Sequence, residues 1–160
     1  MALSKEKEQE YIQKVRENPS YLKRLTKNQT DGICLEAVKQ LGFALEYVKK
    51  QTDEICLEAV KRHGDALQYV KEQTPKICLE AVRQNGYALM HVREQTDEIC
   101  MEAVRQNGLA IHYVREQTHE LCLEAIKQNI WAICYIEELT PELCVLAYEQ
   151  NPKAERYFSL

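Results

Sequence analysis

The side chains best suited to chemistry are cysteines, six of which recur at intervals of 22 positions. These are Cys34, Cys56, Cys78, Cys100, Cys122 and Cys144. A column of thiols could bind metal ions or carry out redox reactions. However, packed helices lie about 8–10 Å apart, whereas a disulfide needs Cα atoms within about 7 Å and zinc needs four ligands around one point. The spacing therefore predicts small side chains in a hydrophobic core, with no metal and no cofactor.

Histidines are the other candidates for ligands or general bases, at His63, His91, His112 and His119. His91 and His112 lie in neighbouring columns of adjacent 22-residue units, and the spacing gives neither of them an acidic partner. The sequence also lacks a pattern typical of a nucleophile–base pair, a phosphate-binding loop or a carboxylate dyad. We therefore expect no catalytic residues and no enzymatic activity.

A set of varied, partly aromatic residues favours a binding surface instead. One column reads Phe43, Asp65, Tyr87, Leu109, Trp131 and Lys153. Three positions later the column reads Glu46, Gln68, Met90, His112, Cys134 and Arg156, and one position further it reads Tyr47, Tyr69, His91, Tyr113, Tyr135 and Tyr157. Positions i, i+3 and i+4 share one face of a helix, and tyrosine, tryptophan and methionine are enriched at protein interfaces. The predicted binding residues are Tyr87, Met90, Leu109, His112, Tyr113, Trp131 and Tyr135.

Several uses of this face stay open at the level of the sequence. We predict a repeat scaffold that binds a protein or peptide partner, without nucleic acid or membrane partners. One alternative is a groove of tyrosines that sequesters a small aromatic or nucleotide-like ligand. Another is a self-associating structural protein, in which Cys134 cross-links chains on oxidation. It is also open whether the tyrosines only pack between layers while the varied positions drift in solvent.

All of these columns are positions of one repeated unit of 22 residues. Its start is marked by Thr30, Thr52, Thr74, Thr96, Thr118 and Thr140. Threonine is a good N-cap because its hydroxyl accepts a hydrogen bond from the first turn of a helix. Proline or aspartate follows in most units, and both suit the start of a helix. Apolar residues then fall at Ile55, Cys56, Ala59 and Val60, which is a stripe of helical period. Each threonine therefore predicts the start of an amphipathic α-helix.

A second helix is expected in each unit, for example from Tyr87 to Gln95, with Ala88, Leu89 and Val92 facing inward. Glycine or asparagine at pairs such as His63-Gly64 and Asn85-Gly86 predicts a left-handed end to the first helix. We expect the columns Asn85, Asn107, Asn129 and Gln51, Gln73, Gln95, Gln117 to bridge the turns of neighbouring units. Helices of about nine or ten residues are unstable alone, so the hairpins must stack. The fold class is therefore all-α, an α-solenoid.

The units ICLEAVRQNGYALMHVRE and ICLEAVKRHGDALQYVKE resemble the repeats of a bacterial and giant-virus family, domain of unknown function 4116. The resemblance rests on the register A-V-x-x-x-G-x-A-L and covers residues 30 to about 150. It implies an α-helical repeat fold and brings no activity and no catalytic residues. Ile130 and Pro152 depart from the pattern at the glycine position.

We predict one repeat domain over residues 1–160, with about six hairpins and a degenerate N-terminal unit at 5–28. The repeats are 30–51, 52–73, 74–95, 96–117 and 118–139, followed by a degenerate C-terminal unit at 140–160. The net charge of −4 provides no basic face for nucleic acid. The sequence has neither the long apolar run of a membrane span nor the pattern of a secretory signal, and its odd number of cysteines favours a reducing compartment. We therefore expect a cytoplasmic protein.

Overall fold

Seven α-helices alternate with seven short 3₁₀ helices in the computed structural model, which describes residues 3–158. The α-helices are α1 (Lys5–Glu17), α2 (Asp31–Gln40), α3 (Asp53–Arg62), α4 (Pro75–Gln84), α5 (Asp97–Gln106), α6 (His119–Gln128) and α7 (Pro141–Gln150). The 3₁₀ helices are η1 (Pro19–Arg24), η2 (Gly42–Tyr47), η3 (Gly64–Tyr69), η4 (Gly86–His91), η5 (Gly108–Tyr113), η6 (Ile130–Tyr135) and η7 (Pro152–Tyr157). The degenerate N-terminal unit thus forms a hairpin of its own, from α1 and η1.

The chain divides into two compact units, the first ending at Gln84 and the second beginning at Asn85. In the first unit α1, α2, α3 and α4 pack in sequence order, each against the next, and η1, η2 and η3 do the same. In the second unit α5, α6 and α7 pack in this way, as do η4 to η7. Sequential packing of 22-residue helix pairs confirms the predicted α-solenoid class. The predicted single domain over residues 1–160 stays a prediction.

Threonine caps begin α2 to α7, as predicted, whereas Ser4 caps α1. The hydroxyl of Thr52 accepts a hydrogen bond from the backbone N–H of Ile55 at 3.3 Å, and Thr96 accepts one from Ile99 at 3.3 Å. In the core, Ala59 and Val60 are fully buried, as are the corresponding residues of the other internal repeats. The local signals of the first helix therefore determine where it begins and which face it buries.

The second helix differs from the prediction. A 3₁₀ helix of six residues, η4, replaces the expected helix from Tyr87 to Gln95, although Ala88, Leu89 and Val92 are buried as predicted. After each of the 3₁₀ helices η2 to η6 the backbone is extended, with φ −74° and ψ 124° at Val114. The reason is visible at Gln95, whose Nε2 donates to the carbonyl of Tyr113 at 2.8 Å while its Oε1 accepts from the N–H of Arg115 at 3.0 Å. The preceding repeat thus binds the backbone groups that a longer helix would need for itself.

The turn between the two helices also differs from the prediction. No residue in the described part of the chain has a positive φ, and Asn107 is extended, with φ −152° and ψ 111°. The glycine is needed for a different reason. A Cβ on Gly108 would lie 2.5 Å from the carbonyl oxygen of Ala125 in the following repeat, and one on Gly86 would lie 2.6 Å from that of Ala103. Close approach between repeats, and not a left-handed conformation, therefore selects glycine here.

The two amide columns have separate tasks. The glutamines bridge neighbouring repeats, as predicted for Gln51, whose Nε2 donates to the carbonyl of Tyr69 at 2.9 Å. The asparagines were also predicted to bridge repeats, but the side chain of Asn107 acts within its own repeat. Its Oδ1 accepts a hydrogen bond from the N–H of Leu109 at 3.0 Å and thereby caps its own 3₁₀ helix. Asparagine is a preferred N-cap, since its short side chain reaches the backbone two residues on.

The departures from the glycine pattern do not disrupt the turns. Ile130 begins η6 and is half-buried, and Pro152 begins η7 at a position where proline is favoured. Within residues 3–158, the helices are all too short or too polar to cross a lipid bilayer.

Candidate interaction surface

The predicted binding residues all lie in the second unit, on three consecutive 3₁₀ helices. We call this set the aromatic strip: Tyr87 and Met90 on η4, Leu109, His112 and Tyr113 on η5, and Trp131 and Tyr135 on η6. In each helix the alanine and the following Leu or Ile point into the core and are buried. The residues on either side of that pair therefore point away from the core, which places the strip at the surface.

The exposure of the strip is uneven. Met90, Trp131 and Tyr135 expose 53%, 40% and 43% of their surface, which is unusual for large apolar side chains. His112 is also exposed, whereas Tyr87, Leu109 and Tyr113 are half-buried. The strip is thus a shallow surface with three protruding apolar groups on a partly buried base.

Ring contacts connect most of the strip from one repeat to the next. Tyr87 meets Tyr113 edge-on, with centroids 5.9 Å apart and an interplanar angle of 88°. His112 contacts both Tyr113, at 4.9 Å, and Tyr135, at 4.8 Å. Tilted and edge-on pairs at these distances are favourable arrangements for aromatic rings. The half-buried tyrosines therefore stabilise the stacking of repeats.

Trp131 has a partner that the sequence analysis did not include in the site. Its ring meets Tyr157 of η7 edge-on, at 5.9 Å and 84°, and Tyr157 is itself exposed. The same diagonal pairing joins Phe43 to Tyr69 in the first unit, at 6.4 Å and 83°. Tyr157 stands in the aromatic column, so the column itself was the signal that pointed to it. Met90, by contrast, has no aromatic ring, and the ring contacts described above do not reach it.

Charge separates the strip from the equivalent surfaces elsewhere. The helices η4, η5 and η6 contain no Asp, Glu, Lys or Arg, whereas η1, η2, η3 and η7 each contain at least one. The corresponding positions of the first unit include Asp65 and Glu46, and those of η7 are Lys153 and Arg156. An uncharged, partly exposed aromatic surface over three successive repeats is typical of an interaction site.

A family comparison accounts for the repeat itself. The family described as Domain of unknown function (DUF4116) matches residues 32–74, 54–96, 74–118 and 96–140, which together cover more than half of the chain. The chain belongs to this family. No curated protein and no solved structure matches it. The predicted resemblance is therefore confirmed, and it defines a repeat domain of unknown function.

The cysteine column of the DUF4116 repeats is part of the core, as predicted. The five cysteines from Cys34 to Cys122 are buried, whereas Cys144 is half-buried and Cys134, outside the column, is exposed. Burial raises the pKa of Cys34, Cys56 and Cys100 to about 11. The Cys100 thiol lies 3.7 Å from Gln95 Oε1, so it donates a weak hydrogen bond to the bridging glutamine. Neutral, buried thiols of this kind are poor nucleophiles and poor metal ligands.

Basic side chains form a further structural column in the DUF4116 repeats that the sequence analysis missed. The guanidinium of Arg115 donates to the carbonyls of Arg93, at 2.8 Å, and Val92, at 3.0 Å. Lys49 Nζ donates to the carbonyl of Thr26 at 2.6 Å in the same way. These cations bind carbonyls just past the end of the preceding 3₁₀ helix, where the helix dipole also favours positive charge. The 22-residue spacing of these Lys and Arg residues can be recognised in the sequence. The backbone carbonyls that they bind can be identified only in the structure.

Proposed function

We propose that this chain is a non-enzymatic binding module, in which the aromatic strip contacts a protein or peptide partner. The observation that carries the proposal is the absence of charge from three consecutive second helices whose outward side chains are large, apolar and partly exposed. In each of η1, η2, η3 and η7 at least one residue is charged, and water solvates charged residues well. Large, exposed apolar side chains that are grouped in adjacent repeats, as Met90, Trp131 and Tyr135 are, favour a binding surface over one that contacts only solvent.

The scaffold beneath the strip supports this use. Fully buried residues alternate with those of the strip along each helix, such as Ala110 and Ile111 between Leu109 and His112 in η5. Ring contacts with Tyr87 of the preceding repeat and with His112 of its own helix also restrict Tyr113. A surface whose side chains are already ordered loses less conformational entropy when it binds. Aromatic residues with few rotatable bonds are the usual energetic centres of such interfaces.

The decisive experiment replaces two aromatic residues of the strip, in the double variant Tyr113→Ala, Trp131→Ala. We expect the purified variant to capture its partner from a lysate of the source organism at least tenfold less than the unaltered chain, because aromatic centres of interfaces typically contribute about 2 kcal/mol or more. Capture is measured by quantitative mass spectrometry of proteins retained on the immobilised chain.

The first unit supplies a matched control, the double variant Phe43→Ala, Tyr69→Ala. It also removes aromatic side chains from second-helix columns, including an edge-on ring pair, but from a surface that carries Asp65 and Glu46. Both variants should keep their helical circular dichroism, and only the strip variant should lose the partner. Equal capture by the strip variant and the control would show that the strip is not the binding surface.

A further inference from the structure

Four glutamates follow the helices of the aromatic strip. Each of η4, η5 and η6 is followed by a short segment that begins in an extended conformation and carries at least one exposed glutamate. We call these residues the acidic border: Glu94 after η4, Glu116 after η5, and Glu137 and Glu138 after η6. Within residues 3–158, the side chains of the border form no ion pair with a lysine, arginine or histidine. Their negative charge is therefore not neutralised by neighbouring side chains.

The acidic border lies close to the aromatic residues of the strip. An extended chain advances at most about 3.6 Å per residue. Glu116 follows Tyr113 by three residues, so their Cα atoms lie within about 11 Å of each other. Glu138 follows Tyr135 by the same interval, and Glu137 is one residue nearer. A peptide that covers the strip would therefore reach the border with side chains only a few residues away.

The first unit has a different charge in the corresponding segments. Lys27 follows η1, and Lys49 and Lys50 follow η2. Residues 1–84 contain 15 basic and 13 acidic residues, whereas residues 85–160 contain 6 basic and 12 acidic residues. The excess of negative charge thus belongs to the unit that carries the strip. A surface with charge of one sign favours a partner of the opposite sign and disfavours one of the same sign.

Glu137 stands at a position where other repeats hold a cation bound to the backbone. One repeat earlier, the guanidinium of Arg115 donates to two carbonyls, and in the first unit Lys71 Nζ donates to the two equivalent carbonyls at 2.7 and 3.5 Å. Glu137 takes the place of these cations. The carbonyls that a cation would bind here, those of Val114 and Arg115, accept no hydrogen bond from any residue in the described range 3–158. Two acceptors and a carboxylate therefore lie together without a donor.

Space for a cationic side chain lies at the same point. Glu137 and Glu138 line a cavity of about 270 Å³, together with His119, Cys122 and Leu143. The His119 ring does not neutralise the two border glutamates, because its Nε2 contacts Glu142 at 3.0 Å. A lysine or arginine from outside the chain has room to enter, and its donors match the acceptors present.

We propose that the partner of the aromatic strip is a cationic, apolar peptide segment, whose apolar side chains cover the strip while a lysine or arginine binds Glu137 and the two carbonyls beside it. This inference rests on the function proposed above, because it names the chemistry of the partner for the same surface. Arginine fits best, since a guanidinium can donate to a carboxylate and to carbonyls at once. An acidic segment would be repelled by all four glutamates of the border.

The probe that tests this is a phage-displayed library of random dodecapeptides, selected on the immobilised full chain. We expect the recovered peptides to combine aromatic or aliphatic residues with lysine or arginine, and these two cations to be enriched at least twofold over the unselected library. The affinity of a recovered peptide is then measured by fluorescence anisotropy. It should fall at least threefold between about 50 and about 500 mM sodium chloride, because salt screens exposed charges.

Two charge variants separate the border from the net charge of the chain. The border variant carries Glu116→Lys, Glu137→Lys and Glu138→Lys. The control variant changes the net charge equally at exposed positions of the α-helices, with Glu98→Lys, Glu120→Lys and Glu149→Lys. The border variant should bind the recovered peptide at least tenfold more weakly, and a new selection on it should no longer enrich lysine and arginine. The control variant should stay within threefold of the unaltered chain.

The outcomes distinguish this inference from the proposed function. A selection that recovers no peptide, or only peptides without enriched lysine and arginine, would overturn the inference and leave the proposed function standing. A border variant that binds like the control variant would do the same. If the strip variant Tyr113→Ala, Trp131→Ala binds the recovered peptides as tightly as the unaltered chain, the proposed function fails, and the inference fails with it.

Discussion

At the scale of single residues, the glycines of the turn show that a neighbouring repeat can fix an amino-acid type. The N–H of Gly108 donates to Gln128 Oε1 in the following repeat at 2.5 Å, and that of Gly86 donates to Gln106 Oε1 at 2.6 Å. The backbone at these points is close enough to its neighbour that no side chain fits between them. Gly32, in contrast, lies within α2, where an added Cβ would meet nothing closer than 3.6 Å.

This contrast predicts opposite effects for the same substitution. Gly108→Ala should lower the free energy of unfolding by about 1–3 kcal/mol, because the new methyl group overlaps the carbonyl of Ala125 and the repeats must move apart. Gly32→Ala should raise it by up to about 0.5–1 kcal/mol, because alanine is the better helix former. Urea denaturation of the two variants checks both signs. A neutral Gly108→Ala would mean that the repeats are not in close contact at this turn.

Thiol reactivity is the second prediction at this scale. In the folded chain Cys134 should react rapidly with Ellman's reagent at pH 8, and Cys144 more slowly, because the first is exposed and the second is half-buried. The five buried cysteines should react only on unfolding, since burial both shields them and raises the pKa of Cys34, Cys56 and Cys100 to about 11. Replacing Cys134 with serine should remove the fast phase. Rapid reaction of the buried column would contradict its place in the core.

At the scale of elements, the 3₁₀ helix is a structure that depends on the repeat before it. Gln117 Nε2 donates to the carbonyl of Tyr135 at 2.9 Å, and its Oε1 accepts from the N–H of Glu137 at 3.1 Å. Gln95 and Gln51 likewise donate to carbonyl groups of the repeat that follows their own, at Tyr113 and Tyr69. A glutamine side chain thus terminates the helix of its neighbour, in the way that capping residues usually terminate their own helix.

We therefore expect Gln95→Leu to cost about 1–3 kcal/mol of stability, because it leaves the carbonyl of Tyr113 and the N–H of Arg115 without their partner. Hydrogen exchange should accelerate most at Arg115, twenty residues from the substitution. Gln68→Leu is the control, since the Nε2 of this exposed side chain donates to the carbonyl of Asp65 in its own helix at 3.0 Å. That variant should remain within about 0.5 kcal/mol of the unaltered chain. Similar exchange at Arg115 in both variants would show that Gln95 does not fix the end of η5.

Features that depend on contacts between residues close in sequence could be predicted, whereas features that depend on contacts between repeats could not. The threonine caps and the stripe of Ala59 and Val60 depend on neighbours three or four residues away, and they were predicted correctly. The short second helix and the close approach at Gly108 depend on residues 17 to 20 positions away, in another repeat. Asn107 is ambiguous for the same reason, because an asparagine can equally cap its own helix or reach its neighbour.

At the scale of the whole molecule, the candidate site could be predicted in part. Columns in which the repeats disagree directed attention to the second helices, and the structure brings Tyr87, His112, Tyr113 and Tyr135 together in one set of ring contacts. The aromatic column pointed to Tyr157, but its contact with Trp131 is evident only in the structure, because the two rings belong to different columns of successive repeats. The exposure of Tyr148 was beyond prediction as well, since the residues of its column in the other repeats are buried in the core.

The bridging glutamines have a consequence for how proteins of this family can change length. Within each unit a glutamine of one repeat bridges to the backbone of the next, as Gln29 and Gln51 do in the first unit and Gln95 and Gln117 in the second, so these junctions rest on chemistry that recurs every 22 residues. Genetic duplication or loss of one 22-residue segment would therefore recreate a junction of the existing kind, with its amide bridge and its glycine contact intact. An insertion of any other length within a repeat would displace a glutamine from the carbonyl it binds. Chain length in such a protein should evolve in whole steps, while the surface residues of each step remain free to diverge.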